Sequence, residues 1–309
     1  MYVIDAQKIV KTFPSKCGMV KAVDNVTLQI KKGEIFGLLG VNGAGKSTLT
    51  NILSGLTYPN SGTLKLFGKN FYENEEEIKG RCNVATAYYD LNRSLTVKEN
   101  LLVYAKLYGI KNPKQKIKEL TEKFMLTGHL NTQIRFLSSG ERTRMVIIKS
   151  LLNDPEILFL DECTVGLDPD MAEITRDYLL QYNKETKCTI IFTSHYMPEV
   201  ERLCNRIAFL DQGKIIKIGN AKSLLHELNQ QKVSLHFSDN IKEAKKLLQK
   251  ENITFEEDKD VLTFYVKNRK KILYPLLEKF VKNKIIFDDL HLNKPTLEEY
   301  FIKKSRRNQ

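Results

Sequence analysis

The chain has 309 residues, 42% hydrophobic and 28% charged, which excludes a disordered polypeptide and allows one large domain or two of ordinary size. Its five cysteines, Cys17, Cys82, Cys163, Cys188 and Cys204, form no C-x-x-C pair and face no histidine cluster, so a reducing cytosol is expected and a structural zinc site is not. The net charge of +12 is skewed: residues 214–309 carry 21 Lys and Arg against 13 Asp and Glu, a balance that suits nucleic acid, an acidic membrane surface, an acidic protein or simply a solvated face.

Along the chain, MYVIDAQKIV carries Asp5 and lacks a basic start and a long apolar run, so no signal peptide is expected. No apolar stretch approaches the roughly 18 residues of a membrane span. EIFGLLG (34–40) predicts a buried strand, and Leu49, Ile52, Leu53 and Leu56 recur at helical spacing behind it. Residues 96–127 read as helical, with Val97, Leu101, Tyr104, Ala105 and Tyr108 on one face and Ile117, Leu120 and Phe124 on another. They predict a helical subdomain over about 90–150. ILFLD (157–161) and CTIIFTSH (188–195) are continuous apolar runs of the kind that parallel strands show when both faces are covered. Residues 1–225 are therefore expected to form an α/β domain with a largely parallel sheet.

From 226 to 309 the texture changes. KVSLHF (232–237), IKEAKKLLQK (241–250), NITFEE (252–257), VLTFYV (261–266), KKILYPLLEKFV (270–281) and KIIFDDLHL (284–292) predict β-α-β-β-α-β, a small ferredoxin-like α+β domain. A closing helix is expected to start near Pro295, with Glu298 and Glu299 in its first turn.

GVNGAGKST (40–48) fits G-x-x-x-x-G-K-[ST] between a predicted strand and a predicted helix. Gly40, Gly43 and Gly45 let the backbone curl so that successive N–H groups, those of Asn42 and Ala44 among them, can approach phosphate oxygens. The helix behind them adds its positive end. Lys46 is expected to reach the β- and γ-phosphates of ATP, Ser47 to ligate Mg²⁺, and Thr48 to add a phosphate contact. Asp161 and Glu162 follow a buried strand directly, where unpaired charge is costly. A strand parallel to the one before the loop would end beside the phosphates. Asp161 would then hold Mg²⁺, and Glu162 would orient and deprotonate the attacking water.

A phosphate loop with two acids also fits a kinase, a GTPase or a helicase. LSSGERTR (137–144), about 20 residues before the acidic strand and at a helix start, decides otherwise. Here the sequence resembles the ATP-binding cassette (ABC) family, whose LSGGQ signature precedes LDEPT. VGLDPD (165–170) is similar to the family's D-loop, with Asp168. TSHYMPEVE (193–201) looks like its switch region, with His195 poised at a γ-phosphate, and Phe13 in IVKTF stands where the family places an aromatic against adenine. The resemblance covers about residues 2–220. Taken singly, a residue like His195 is more often an ordinary paired histidine and one like Phe13 more often core, while Asp168 is equally often a turn residue.

The resemblance implies an ATPase subunit of an ABC transporter. Ser138 and Gly140 of one cassette would cap the ATP held by the phosphate loop of a second, identical or sibling, subunit. A separate polytopic permease would be the membrane partner, and the chain would sit peripherally on the cytoplasmic face. The C-terminal domain resembles those of export-type subunits for drugs, antibiotics, lipids or polymers. A soluble ABC ATPase of translation would carry two cassettes and a charged linker, and a chromosome-maintenance ATPase a long coiled coil; neither pattern is in the sequence. VLTFYV also lacks the glycine–aromatic spacing of an RNA-recognition strand, so no nucleic-acid partner is expected.

Three departures from the family pattern stand out. Ser139 and Glu141 replace a glycine and a glutamine of the signature, and a side chain at 139 is costly only if φ is positive there. Cys163 replaces a proline. The family's glutamine upstream of LTVKENL is missing; Asp90 or Asn92 is the candidate substitute, unless the coupling there differs, and that role stays unassigned.

Overall fold

The computed structural model describes residues 1–15, 18–86, 91–228, 231–293 and 296–305. Two long strands open the chain, β1 (Tyr2–Ser15) and β2 (Gly18–Lys31), followed by β3 (Ile35–Leu39), α1 (Lys46–Leu53), β4 (Ser61–Leu66), β5 (Lys69–Asn70), α2 (Glu75–Gly80) and β6 (Cys82–Thr86). Three helices come next: α3 (Val97–Leu107), α4 (Pro113–Lys123) and α5 (Ser139–Leu151). Then β7 (Ile157–Asp161), α6 (Pro169–Thr186), β8 (Thr189–Thr193), α7 (Met197–Leu203), β9 (Arg206–Asp211) and β10 (Lys214–Gly219) complete a first compact unit, Met1–Ala221.

Its centre is a six-stranded sheet in the order β10-β9-β3-β8-β7-β6, parallel from β9 to β6. Strands β3, β7 and β8 are buried at every position, as their unbroken apolar runs require. Gly37 of β3 lets α7 lie close, because a Cβ there would meet Val200 Cγ1 at 2.7 Å and Cys204 Sγ at 2.9 Å. A second, antiparallel sheet, β2-β1-β4-β5, shares the apolar core through Ile4, Ile9, Leu28 and Leu64. The sequence reading did not anticipate this sheet.

The helical residues fall as the periodicity predicts, with Val97, Leu101, Ala105, Ile117, Leu120 and Phe124 buried and Tyr104 and Tyr108 half-buried. Leu56 does not belong to their counterpart in α1: the helix ends at Leu53, its last carbonyls taken up by the turn at Ser54 and Gly55, and Leu56 is 58% exposed.

The second unit is Lys222–Gln309, so the chain divides between Ala221 and Lys222 rather than at 225. The reason is α8 (Ala221–Leu228), a helix across the expected boundary. Behind it come β11 (Gln231–His236), α9 (Ile241–Lys250), β12 (Phe255–Asp258), β13 (Val261–Val266), α10 (Tyr274–Lys282), β14 (Asp289–Asn293) and α11 (Leu297–Ser305). The sheet is antiparallel in the order β12-β13-β11-β14, the arrangement of a split β-α-β sandwich. Val233, Leu235, Phe264, Leu248 and Phe280 fill its own core.

Two elements depart from expectation. Strand β14 starts at Asp289, not at 284, since Lys284 has φ 55° and Ile285 turns inward to the core. The run from 270 opens as a π-helical turn, Arg269–Leu273, before α10. Pro295 lies outside the described residues. The start of α11 is set by Thr296 and Glu299, whose side chains each accept from the other's backbone N–H, at 3.2 and 3.3 Å.

Candidate functional site

Strand β3 runs into a loop whose geometry only glycine permits at two points. A Cβ on Gly40 would lie 2.3 Å from the Leu210 carbonyl, and one on Gly45, at φ 101°, would lie 2.1 Å from the Ala22 carbonyl. Ala44 is buried, and its carbonyl accepts from the Gly213 N–H at 3.0 Å, which fastens the loop to the β9–β10 turn. α1 begins at Lys46 with Gly45 as its N-cap, so its free N–H groups open on the loop.

A cavity of about 440 Å³ lies over this helix end. Asn42, Gly43, Gly45, Lys46, Ser47 and Thr48 form one wall. Asp161, Glu162 and His195 form another. Lys46 turns back on the loop, with Nζ 2.7 Å from the Gly40 carbonyl and 3.2 Å from that of Val41. Burial holds its ammonium below the usual lysine range, against the raising influence of Glu162 and Asp161.

Strands β7 and β8 are parallel neighbours with Asp161 opposite Thr193, so the acids and the histidine leave the sheet at one edge. The Thr193 hydroxyl donates to Asp161 Oδ1 at 2.5 Å, which offsets the burial of that carboxylate. Glu162 adopts φ 53°, a left-handed conformation that costs roughly 1–3 kcal/mol outside glycine and persists where its surroundings over-determine it. Its N–H reaches Thr193 O at 3.2 Å and Thr193 Oγ1 at 3.1 Å. Its Oε2 lies 2.7 Å from His195 Nδ1. With a carboxylate accepting, Nδ1 carries the proton, and Nε2 donates only in the imidazolium form.

The hydroxyl of Ser47 and the carboxylate of Asp161 face one cavity, a hard oxygen donor set that fits Mg²⁺. The described residues contain no cluster of three or more His, Cys, Asp or Glu that would hold a metal by itself.

The remaining predicted residues are placed elsewhere. Gly40 and Ala44 support the loop without lining the cavity. Phe13 is 41% exposed near the end of β1 beneath Lys11 Nζ, 5.2 Å from its ring centroid, and is not part of the cavity wall. Ser138, Gly140 and Asp168 are also absent from this wall. Ser138 caps α5: its hydroxyl accepts from the Glu141 N–H at 3.2 Å, and Glu141 Oε2 accepts from the Ser138 N–H at 2.7 Å. Glu141 thus completes a capping box, and Ser139, in the helix's first turn, avoids positive φ. Gly140 packs on the segment behind the acids, where a Cβ would lie 3.1 Å from the Gly166 carbonyl. Asp168 caps α6 through the Met171 N–H at 2.8 Å.

Cys163 is buried, and desolvation, with Glu199 nearby, pushes its thiol well above the ordinary range. Asp90 lies outside the described residues. Asn92 is engaged locally: its Oδ1 accepts from the Ser94 N–H at 3.0 Å, and it is not in the cavity wall. Sequence reasoning missed Ala22 and Val165, which also line the cavity, and Thr193, whose signal was a hydroxyl ending a buried strand two residues before His195.

The ABC transporter family model matches residues 23–165. The linearmycin resistance ATP-binding protein LnrL of Bacillus subtilis (strain 168) is 32% identical over 306 residues, covering 97% of each chain. The methionine import ATP-binding protein MetN of the same organism is 34% identical over 239 residues, 74% of this chain and 69% of the relative. A solved dimeric cassette of a bacterial ABC transporter shares the fold with a TM-score of 0.66 at 24% identity, over 70% of this chain and 98% of that one. A phosphate loop, a parallel sheet and two acids at its edge define a P-loop ATPase. The chain belongs to the ATP-binding subunits of ABC transporters, and its enzymatic activity is ATP hydrolysis.

Proposed function

We propose that this chain energises a separate polytopic permease from the cytoplasmic face of the membrane, as one of two cassettes that share their ATP sites, and that the cargo is an exported drug, antibiotic, lipid or polymer. The observation that carries the export reading is the extent of the likeness. The resistance protein aligns over 97% of this chain, C-terminal unit included, whereas the methionine import and Nod factor export proteins align over 66–74%. The whole-chain likeness is therefore to a resistance protein, and moving the compound out of the cell is the transport that resistance calls for. No described helix is long and apolar enough to cross a membrane, so translocation is assigned to the partner.

In this reading the N–H groups at the start of α1, with Asn42, Lys46 and Thr48, hold the phosphates of ATP. Ser47 and Asp161 hold Mg²⁺, which when bound neutralises phosphate charge. Glu162 accepts a proton from the attacking water, and His195 holds that carboxylate and faces the γ-phosphate. Phe13 meets the adenine. Ser138, Gly140 and Asp168 act on the partner's ATP, which accounts for their place outside the chain's own cavity wall. The partner is a copy of this chain or a sibling cassette; no nucleic acid takes part.

The test is Glu162→Gln. ATP binding should persist, turnover should fall by about 10²–10⁴-fold, and the variant should form a dimer stable in ATP. Turnover near wild type removes Glu162 from its role. For the cargo, coexpression of the chain with its permease should raise tolerance to amphiphilic antibiotics, and Glu162→Gln should abolish the gain; no gain with the wild-type chain overturns the export reading.

A further inference from the structure

Glu199, in the first turn of α7, is 5% exposed and lines no part of the ATP cavity. A carboxylate buried to that degree needs partners, and its partners come from three segments. Its Oε2 accepts from the Thr164 hydroxyl at 2.8 Å and from the Ser194 hydroxyl at 3.3 Å. Its Oε1 accepts from Arg176 Nη1 of α6 at 3.1 Å.

Thr164 stands two residues after Glu162, and Ser194 immediately precedes His195. One buried oxygen thus ties together the two loops that carry the reacting pair, and Arg176 anchors it to the helix behind them. Ser194 is held from both sides, since its Oγ also accepts from the Tyr196 N–H at 3.0 Å and so fixes the turn around His195. On the other loop, the left-handed backbone at Glu162 needs outside contacts to persist. The Val165 N–H to Glu162 carbonyl bond, 3.2 Å, closes a turn whose third residue is Thr164.

We propose that Glu199 is a positioning residue for ATP hydrolysis, setting Glu162 and His195 in register through Thr164 and Ser194. The proposal rests on the assignment of hydrolysis to Glu162 and His195. It predicts an effect on turnover separate from nucleotide binding, because none of the four residues of the network lines the cavity over the phosphate loop.

Thr164→Val removes one hydroxyl and keeps the shape. In the full chain its ATP affinity should match wild type and its melting temperature should drop by a few degrees at most, the cost of one lost bond to a buried carboxylate. Meanwhile kcat should fall by about tenfold to a hundredfold, the scale set by a misplaced reacting group. Thr164→Ser, which restores the hydroxyl, should recover most of the rate. Wild-type kcat in Thr164→Val, or a loss of rate matched by equal losses in ATP affinity and melting temperature, overturns the proposal. So does failure of Thr164→Ser to recover. Glu162→Gln, measured alongside, separates the two layers. If it abolishes turnover while Thr164→Val does not, the positioning role alone falls; if it leaves turnover intact, the assignment beneath falls as well.

Discussion

His195 Nδ1 lies 2.7 Å from Glu162 Oε2, although 33 positions separate the two residues and they leave different strands. The pairing follows from the sheet. Asp161 and Thr193 are register partners in adjacent parallel strands, so the residues just beyond them emerge side by side. That relationship answers why acids follow a strand as apolar as Ile157-Leu158-Phe159-Leu160. The strand's end is the edge where the phosphate cavity opens, and Asp161 has a hydroxyl waiting for it there.

Lys46→Ala should lower ATP affinity by about tenfold to a hundredfold, the loss of a charge-assisted contact, in a titration with labelled nucleotide. The same variant should alter the alkaline side of the stability profile. Burial lowers the folded-state pKa of Lys46 below 10.5, so between the folded and unfolded values the unfolded chain binds more protons. Its burial cost is therefore fully present below the folded pKa, and wild-type stability gains from this group as pH rises toward 10.5. Lys46→Ala should lack that gain in pH-dependent melting. Unchanged ATP affinity would contradict the assignment of the phosphate loop.

Glu141→Ala should destabilise the first unit by about 1 kcal/mol, since it opens the capping box of α5. Burial acts to raise the Glu141 pKa, but the Ser138 N–H and hydroxyl and the charges of His129 and Arg144 outweigh it and hold the carboxyl below 4.5. A depressed folded pKa means stability present above the unfolded value and lost as pH falls through the folded one. Glu141→Gln should therefore keep most of the neutral-pH stability and lose less on acidification than wild type. Equal acid sensitivity in melts at pH 7 and pH 4 would show that the charge contributes nothing.

A fragment ending at Ala221 should fold and bind ATP, because the phosphate loop, both acids and His195 lie within the first compact unit and its core. A fragment ending at 225 would cut inside α8 and leave half a helix behind. An insoluble 1–221 fragment would show that the two units fold as one.

What the sequence made legible has a physical pattern. The phosphate loop was readable because Gly40 and Gly45 are forced by contacts of 2.3 and 2.1 Å and Gly43 by its φ of 80°, and β7 and β8 because burial on both faces demands unbroken apolar runs. The antiparallel sheet was not readable. Register shifts between Ala6 and Ile9, with φ 51° at Lys8, break the two-residue alternation in β1 that would have marked a half-buried strand. Glu199 was invisible for a different reason: TSHYMPEVE shows the acid, but only the fold brings Thr164 and Arg176 to it.

Ser138 carries the sharpest prediction because its place has two consequences. As the N-cap of α5 it contributes about 1 kcal/mol, so Ser138→Arg should lower the melting temperature by a few degrees. Its distance from the chain's own cavity wall means that ATP binding at low protein concentration should survive the substitution. In the proposed two-cassette arrangement hydrolysis should nonetheless fall steeply, since a bulky cation would stand where that arrangement brings the partner's γ-phosphate to the helix end. Ser138→Ala serves as the control: it loses the same cap without adding bulk, so any extra defect in Ser138→Arg belongs to the shared site. Mixing Ser138→Arg chains with Lys46→Ala chains then tests the pairing directly. In a mixed homodimer one composite site collects both defects, while the other joins an intact phosphate loop to an intact α5 start, and activity above either variant alone is expected. Loss of ATP from Ser138→Arg monomers, with Ser138→Ala still binding, would place the signature in its own chain's site and overturn the two-cassette mechanism.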